Sequence, residues 1–133
     1  MRVPRLVLAL VFGLVAPQAH GGEELWRECR VCHQVTAPDG TVLARGGRAA
    51  PNLHGIVGRT AAGDDGFRRY SEAMRRAGAD GLVWTRNALR DYIRDPDGFL
   101  SARTGMAIDD GKMPAPPATD VEGLITFIDE LSR

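Results

Sequence analysis

The sequence predicts an all-α domain of four to five helices, and two observations carry that prediction. Apolar residues recur at helical spacing behind capping residues: Leu89, Tyr92 and Ile93 follow Thr85, and Val121, Leu124, Ile125, Ile128 and Leu131 follow Thr119. The segments on either side of the only two cysteines, Cys29 and Cys32, show no strand-rich pattern. With 6% aromatic residues in 133, side chains alone make a thin core for a single domain of this length.

The chain opens Met1-Arg2-Val3-Pro4-Arg5, and eleven uncharged residues follow from Leu6 to Ala16. A basic start before a short apolar run is the plan of a secretory signal peptide. The run is too short to span a bilayer, which takes about 20 apolar residues. Ala19-His20-Gly21 is a small-x-small triplet, whereas cutting after Ala19 would put Pro17 third from the cut, so we expect a leader over residues 1–21, a domain over 22–133 and a periplasmic location; an uncleaved anchor is the alternative. Loss of Arg2 and Arg5 takes the 17 basic residues to 15 against 17 acidic, a net charge of −2. Nucleic-acid binders carry a clear basic excess, so that class of partner is excluded. The basic residues are arginines apart from Lys112.

The first helix is expected over Gly22–Cys32. Leu25, Trp26 and Cys29 share one side, Glu23, Glu24, Arg27 and Glu28 face water, and the early glutamates suit the positive end of the helix dipole. It delivers Cys29-Arg30-Val31-Cys32-His33. Two cysteines three apart with a histidine directly after the second form a c-type haem attachment motif. Each thiol can add to one haem vinyl group, and the adjacent imidazole is carried beneath the iron as an axial ligand. A redox disulfide would use the same Cys-x-x-Cys spacing but expects a βαβ setting. A structural zinc site needs four ligands, and His20 and His54 supply no paired spacing. One haem, large and mostly apolar, would also fill the thin core.

Residues 34–50 read as loop, with turns at Pro38-Asp39-Gly40 and Gly46-Gly47 and a short extended piece at Thr41-Val42-Leu43-Ala44. Arg45 and Arg48 in this loop either ring an exposed haem edge or are solvated loop charges. Next comes Ala50-Pro51-Asn52-Leu53-His54-Gly55-Ile56-Val57-Gly58-Arg59-Thr60, then Gly66-Phe67, Tyr70-Ser71, Trp84, Tyr92 and Asp95-Pro96. In this order, behind the haem motif, the run resembles the class I cytochromes c of the mitochondrial and bacterial periplasmic kind, over essentially all of residues 22–133.

That resemblance implies the class I cytochrome c fold, four to five helices wrapped around one covalent haem. It implies that the Pro51 carbonyl accepts a hydrogen bond from the outer nitrogen of His33, fixing the ring and making the iron-bound nitrogen more basic. Arg59, Tyr70 and Trp84 would hold the haem propionates, since a buried carboxylate is costly unless paired. Tyr92 would sit near the second axial ligand, His54 would not bind iron, and the first and last helices would cross where Gly22 meets Phe127.

Further helices are expected at Glu72–Ala77, capped by Ser71 and ended by Gly78, and at Arg86–Arg94, capped by Thr85 with Pro96 beyond it. Residues 97–118 read as loop, and the last helix opens with the capping box Thr119-Asp120-Val121-Glu122. Met74 lies in a helix and is read as packing, which leaves Met106 and Met113 for the second axial position. A thioether is a soft ligand that raises the potential. Met113 is favoured over Met106: Pro114, Pro116 and Pro117 restrict the backbone beside it, and Lys112-Met113-Pro114 resembles the run in bacterial family members.

The function expected is one-electron transfer by a monomeric, non-enzymatic mono-haem cytochrome c. The iron ligands are His33 and Met113, haem c is attached through Cys29 and Cys32, and no small-molecule substrate binds. Its partners are periplasmic or membrane-bound redox proteins, docked briefly near the attachment cysteines. The alternatives are a dedicated haem subunit of a periplasmic dehydrogenase, or an open-site haem protein that binds small gases or peroxide. Relative to the mitochondrial pattern, the loop between His33 and Pro51 is longer and the lysine-rich surface is missing, which bears on partner electrostatics.

Overall fold

The computed structural model describes residues 20–108, 113–117 and 120–133, with side chains from Gly22 onward. The expected leader, Lys112 and Thr119 lie outside the described side chains. Among the described residues the elements run α1 (His20–Cys29), β1 (Val35–Thr36), β2 (Val42–Ala44), α2 (Glu72–Ala79), α3 (Arg86–Arg94), α4 (Pro96–Thr104) and α5 (Val121–Glu130). This is the all-α class, five helices with one small hairpin. None of the described helices is long and apolar enough to cross a membrane.

In α1 the expected faces appear: Trp26 is buried while Glu23, Glu24, Arg27 and Glu28 are exposed. The helix stops at Cys29, three residues short of the expected end. After the last helical bond, Arg30 N–H to the Trp26 carbonyl, the amides of Cys32 and His33 both turn onto the Cys29 carbonyl, at 3.2 and 2.9 Å. Two donors converging on one acceptor close a tight turn instead of extending the ladder. The following loop forms a hairpin, β1 antiparallel to β2 across Pro38-Asp39-Gly40.

The caps explain the other helix ends. Ser71 Oγ accepts from the Met74 amide at 3.1 Å and Thr85 Oγ1 from the Ala88 amide at 3.1 Å, as expected for N-caps. Gly78 does not end α2, which runs on to Ala79. A Cβ at Gly78 would collide with the Ala61 carbonyl, so this glycine serves close packing, not termination. Residues 96–104 are α4, not loop: the Asp95 side chain accepts from the Gly98 amide at 3.1 Å, Pro96 takes the first turn where its missing N–H does no harm, and Gly105 closes the end in the left-handed region. At α5 the cap is Asp120, whose side chain accepts from the Gly123 amide at 2.8 Å, one residue after the expected Thr119.

α5 is the spine of the core. Leu124 and Ile125 are almost fully buried, and α5 packs on α1 and α3 while α4 packs on α2 and α3. Ion pairs from Arg86 and Arg90 to Glu122 and Asp129 also join α3 to α5, but they are half-exposed and add little. The α1–α5 crossing is set by Gly22, where an added Cβ would stand 2.5 Å from Phe127 Cβ and 2.9 Å from the Gly123 carbonyl oxygen. Trp26 lies against the Phe127 ring at 6.3 Å between centroids.

Gly22→Ala separates two opposing effects. So close to the start of α1, helix propensity favours Ala by at most roughly 0.5–1 kcal/mol, whereas overpacking against a backbone carbonyl costs about 1–3 kcal/mol. Sterics should win, so the melting temperature is expected to fall by several degrees. A melting temperature at or above that of the parent protein would show that the crossing has room to spare.

Candidate haem site

The site is built where the turn after α1 meets the loops. Cys29 is half-buried and Cys32 exposed, and the two are not joined in a disulfide. Burial, with help from the charge of Glu28, pushes the Cys29 thiol up to about 11, so it is a poor thiolate at neutral pH and poorly suited to disulfide exchange. The flanking structure is a helix and a two-stranded antiparallel hairpin, not the βαβ unit that a redox disulfide expects. Loop 45–50 wraps the motif: Trp26 Nε1 donates to the Arg45 carbonyl at 3.2 Å, the Gly47 amide to the Arg30 carbonyl at 2.8 Å, and the Ala50 amide to the Cys32 carbonyl at 3.0 Å.

His33 Nδ1 lies 2.7 Å from the Pro51 carbonyl oxygen. A carbonyl can only accept, so Nδ1 carries the proton and Nε2 keeps its lone pair. Burial lowers the His33 pKa, outweighing the bond to Pro51, and Arg59 lowers it further; the ring is therefore held neutral, the form that binds metals.

Arg59 and Trp84 are fixed side by side, because the Trp84 amide donates to the Arg59 carbonyl and the Gly58 amide to the Trp84 carbonyl, each at 2.8 Å. Arg59 spends Nη1 and Nη2 on the His54 and Asn52 carbonyls at 3.2 and 2.9 Å, while its buried Nε has no partner among the described residues. Trp84 is buried, and among the described residues no group accepts from its Nε1. The Tyr70 hydroxyl accepts from the Asp64 amide at 3.1 Å and still has its proton to give. Burial raises the Tyr70 pKa while that bond and Arg59 oppose the rise. Three donors that lack acceptors among the described residues, one of them a buried guanidinium nitrogen, fit an anionic group such as the carboxylates of a haem.

Tyr92, Trp84 and Phe99 form an aromatic wall, with centroids 4.9 Å apart for Trp84–Tyr92, 6.0 Å for Trp84–Phe99 and 5.9 Å for Tyr92–Phe99. Phe99 went unseen in the sequence because it stands on α4; the signal was Asp95-Pro96 as cap and first turn with Gly105 closing the helix. Burial, with Asp97 adding to it, pushes the Tyr92 phenol up to about 12, against 10.0 for an unperturbed tyrosine. The folded state thus holds a proton that the unfolded state releases from about pH 10. The stability linked to Tyr92 should be complete below pH 10 and be lost as pH rises towards 12. Absorbance titration of phenolate, with urea unfolding at pH 9, 10 and 11, checks this; a Tyr92 that ionises at pH 10 with flat stability would contradict it.

Met106 and Met113 are both half-buried against the core. His54 takes part through its backbone, its carbonyl holding Arg59 and its amide donating to Asn52 Oδ1 at 3.1 Å. Asn52 and Asp64, unremarked in the sequence, link these segments, with the Asn52 amide on Asp64 Oδ2 at 2.9 Å. Taken together, the paired thiols beside a neutral histidine and the donors left without acceptors among the described residues fit one covalently attached haem.

No family model matches the chain. It is 38% identical over 107 residues to cytochrome c2 of Rhodobacter capsulatus, covering 75% of this chain and 77% of that one. To cytochrome c2 of Cereibacter sphaeroides it is 41% identical over 93 residues, covering 69% and 75%. The X-ray structure of ferric cytochrome c-550 from Paracoccus versutus superposes with a TM-score of 0.79 at 32% identity, covering 86% of this chain and 98% of that one. The chain belongs to the class I cytochromes c, mono-haem electron carriers with one covalent c-type haem.

Proposed function

We propose that the protein is an exported electron shuttle of the periplasm, with Cys29 and Cys32 holding the haem, His33 and Met113 as iron ligands, and no catalytic turnover of its own. The observation that carries the reading is the 2.7 Å bond from His33 Nδ1 to the Pro51 carbonyl, which presents a neutral, oriented Nε2 beside the two attachment thiols. When bound, the haem supplies an iron that gains and loses one electron.

The chain's own residues make that exchange easy. His33 is clamped by Pro51, so the ring does not need to reorient between redox states. Met113 offers a soft sulfur whose backbone is restrained by Pro114, Pro116 and Pro117. Arg59 Nε, Tyr70 and Trp84 Nε1 would take the propionates, and the Trp84–Tyr92–Phe99 wall keeps water from that side.

Electrons would cross beside the attachment thiols, where Cys32 is exposed and Val31 is 75% exposed. Exposed Arg30, Arg45, Arg48 and Arg69 surround this point, Arg69 Nη2 reaching the Arg48 carbonyl at 3.4 Å, and none of them is in an ion pair among the described residues. A small apolar spot among exposed arginines suits rapid, brief docking on an acidic redox partner. Size-exclusion of a periplasmic extract should find the haem absorbance at the mass of the single chain. Elution with a larger protein, stable to moderate salt, would instead identify a dedicated subunit.

A further inference from the structure

The peptide unit that joins Pro51 to Asn52 is gripped from both sides. Its carbonyl oxygen accepts from His33 Nδ1 at 2.7 Å, and its N–H, the Asn52 amide, donates to Asp64 Oδ2 at 2.9 Å. The two ends of a peptide are conjugated. A carboxylate drawing on the N–H therefore shifts electron density onto the oxygen, and hydrogen bonds in such a chain strengthen one another by roughly 10–30% each.

The arrangement has little freedom to rotate away. Asp64 is half-buried, its Oδ1 accepts from the Gly66 amide at 3.0 Å, and its own amide donates to the Tyr70 hydroxyl at 3.1 Å. Asn52 is held at its carbonyl by Arg59 Nη2, and its side chain bonds both backbone groups of Thr36, at 2.9 and 2.8 Å.

We propose that Asp64 is a positioning residue for His33, acting through the Pro51–Asn52 peptide to fix that carbonyl and to make the imidazole a stronger electron donor. This rests on the reading of His33 as an iron ligand. An Nδ1–H pulled harder makes Nε2 more basic and favours the oxidised iron, so Asp64 lowers the reduction potential. A negative charge acting through space would push in the same direction. Asp65 separates the two effects: it is exposed, adjacent and equally charged, but accepts nothing from that peptide.

The test uses haem-loaded Asp64→Asn, Asp64→Ala and Asp65→Asn proteins, with redox titration and the His33 Nδ1–H proton resonance of the reduced state. Asp64→Asn and Asp64→Ala should raise the reduced-to-oxidised ratio at a fixed poise by about threefold and move the Nδ1–H resonance upfield. Asp65→Asn should leave the resonance in place and move the ratio less. Equal ratio changes at Asp64→Asn and Asp65→Asn, or an unmoved resonance in Asp64→Asn, would overturn the proposal. Should the Asp64 variants fail to fold, the parent protein decides: the Asn52 amide must be protected from hydrogen exchange, and open-chain exchange there refutes the relay. In the oxidised parent, paramagnetic displacement of the His33 ring protons reports ligation independently. Its absence would remove the ligand reading itself, whereas its presence with an unmoved Asp64→Asn resonance removes the relay alone.

Discussion

Met113→Ala should lower the reduction potential by on the order of 0.1 V and open the iron to carbon monoxide, since axial ligands set potentials over a span of ~0.8 V. Met106→Ala should do neither. Both methionines are half-buried against the core, so burial does not choose between them. Backbone tethering does. Met106 stands directly after Gly105, the left-handed cap of α4, and its amide is held by Thr104 Oγ1 at 3.2 Å, which ties it to the end of that helix. Met113 is followed by Pro114, Pro116 and Pro117, which restrict the backbone on its C-terminal side. Carbon monoxide binding by Met106→Ala, with Met113→Ala inert to the gas, would exchange the two assignments.

The second large effect is all-or-none. Cys29→Ala combined with Cys32→Ala should abolish covalent attachment, because the chain has no other thiol to form a thioether. Acid–organic extraction measures it directly: the colour should stay with the parent polypeptide and leave the double variant completely. Haem that resists extraction from the double variant would refute attachment through these cysteines.

How much of this was legible in the sequence follows from the kind of constraint each residue answers. Covalent attachment demands particular residues at fixed spacing, so Cys29, Cys32 and His33 could be read directly. α3 was legible because Thr85 caps it and Pro96 stands beyond it. That same Pro96 hid α4: a proline ends one helix and equally well begins the next, and the choice depended on Asp95 folding back onto the Gly98 amide. Gly78 misled in a related way, since a glycine that permits contact with the Ala61 carbonyl looks, in sequence, like one that stops a helix. The links least visible were those of Asn52 and Asp64. They join two irregular loops by single hydrogen bonds, and such bonds leave neither periodicity nor a motif.

One covalent haem is expected to sit closed between His33 and a methionine, ready to carry an electron and nothing else. The visible spectrum of the protein exported with the cytochrome c maturation machinery tests it most directly, recorded oxidised and reduced, before and after carbon monoxide. A low-spin c-type spectrum that the gas leaves unchanged is the predicted result. A spectrum that shifts on adding the gas would contradict the closed site and make the protein a ligand-binding haem, and a colourless product would return Cys29 and Cys32 to disulfide chemistry.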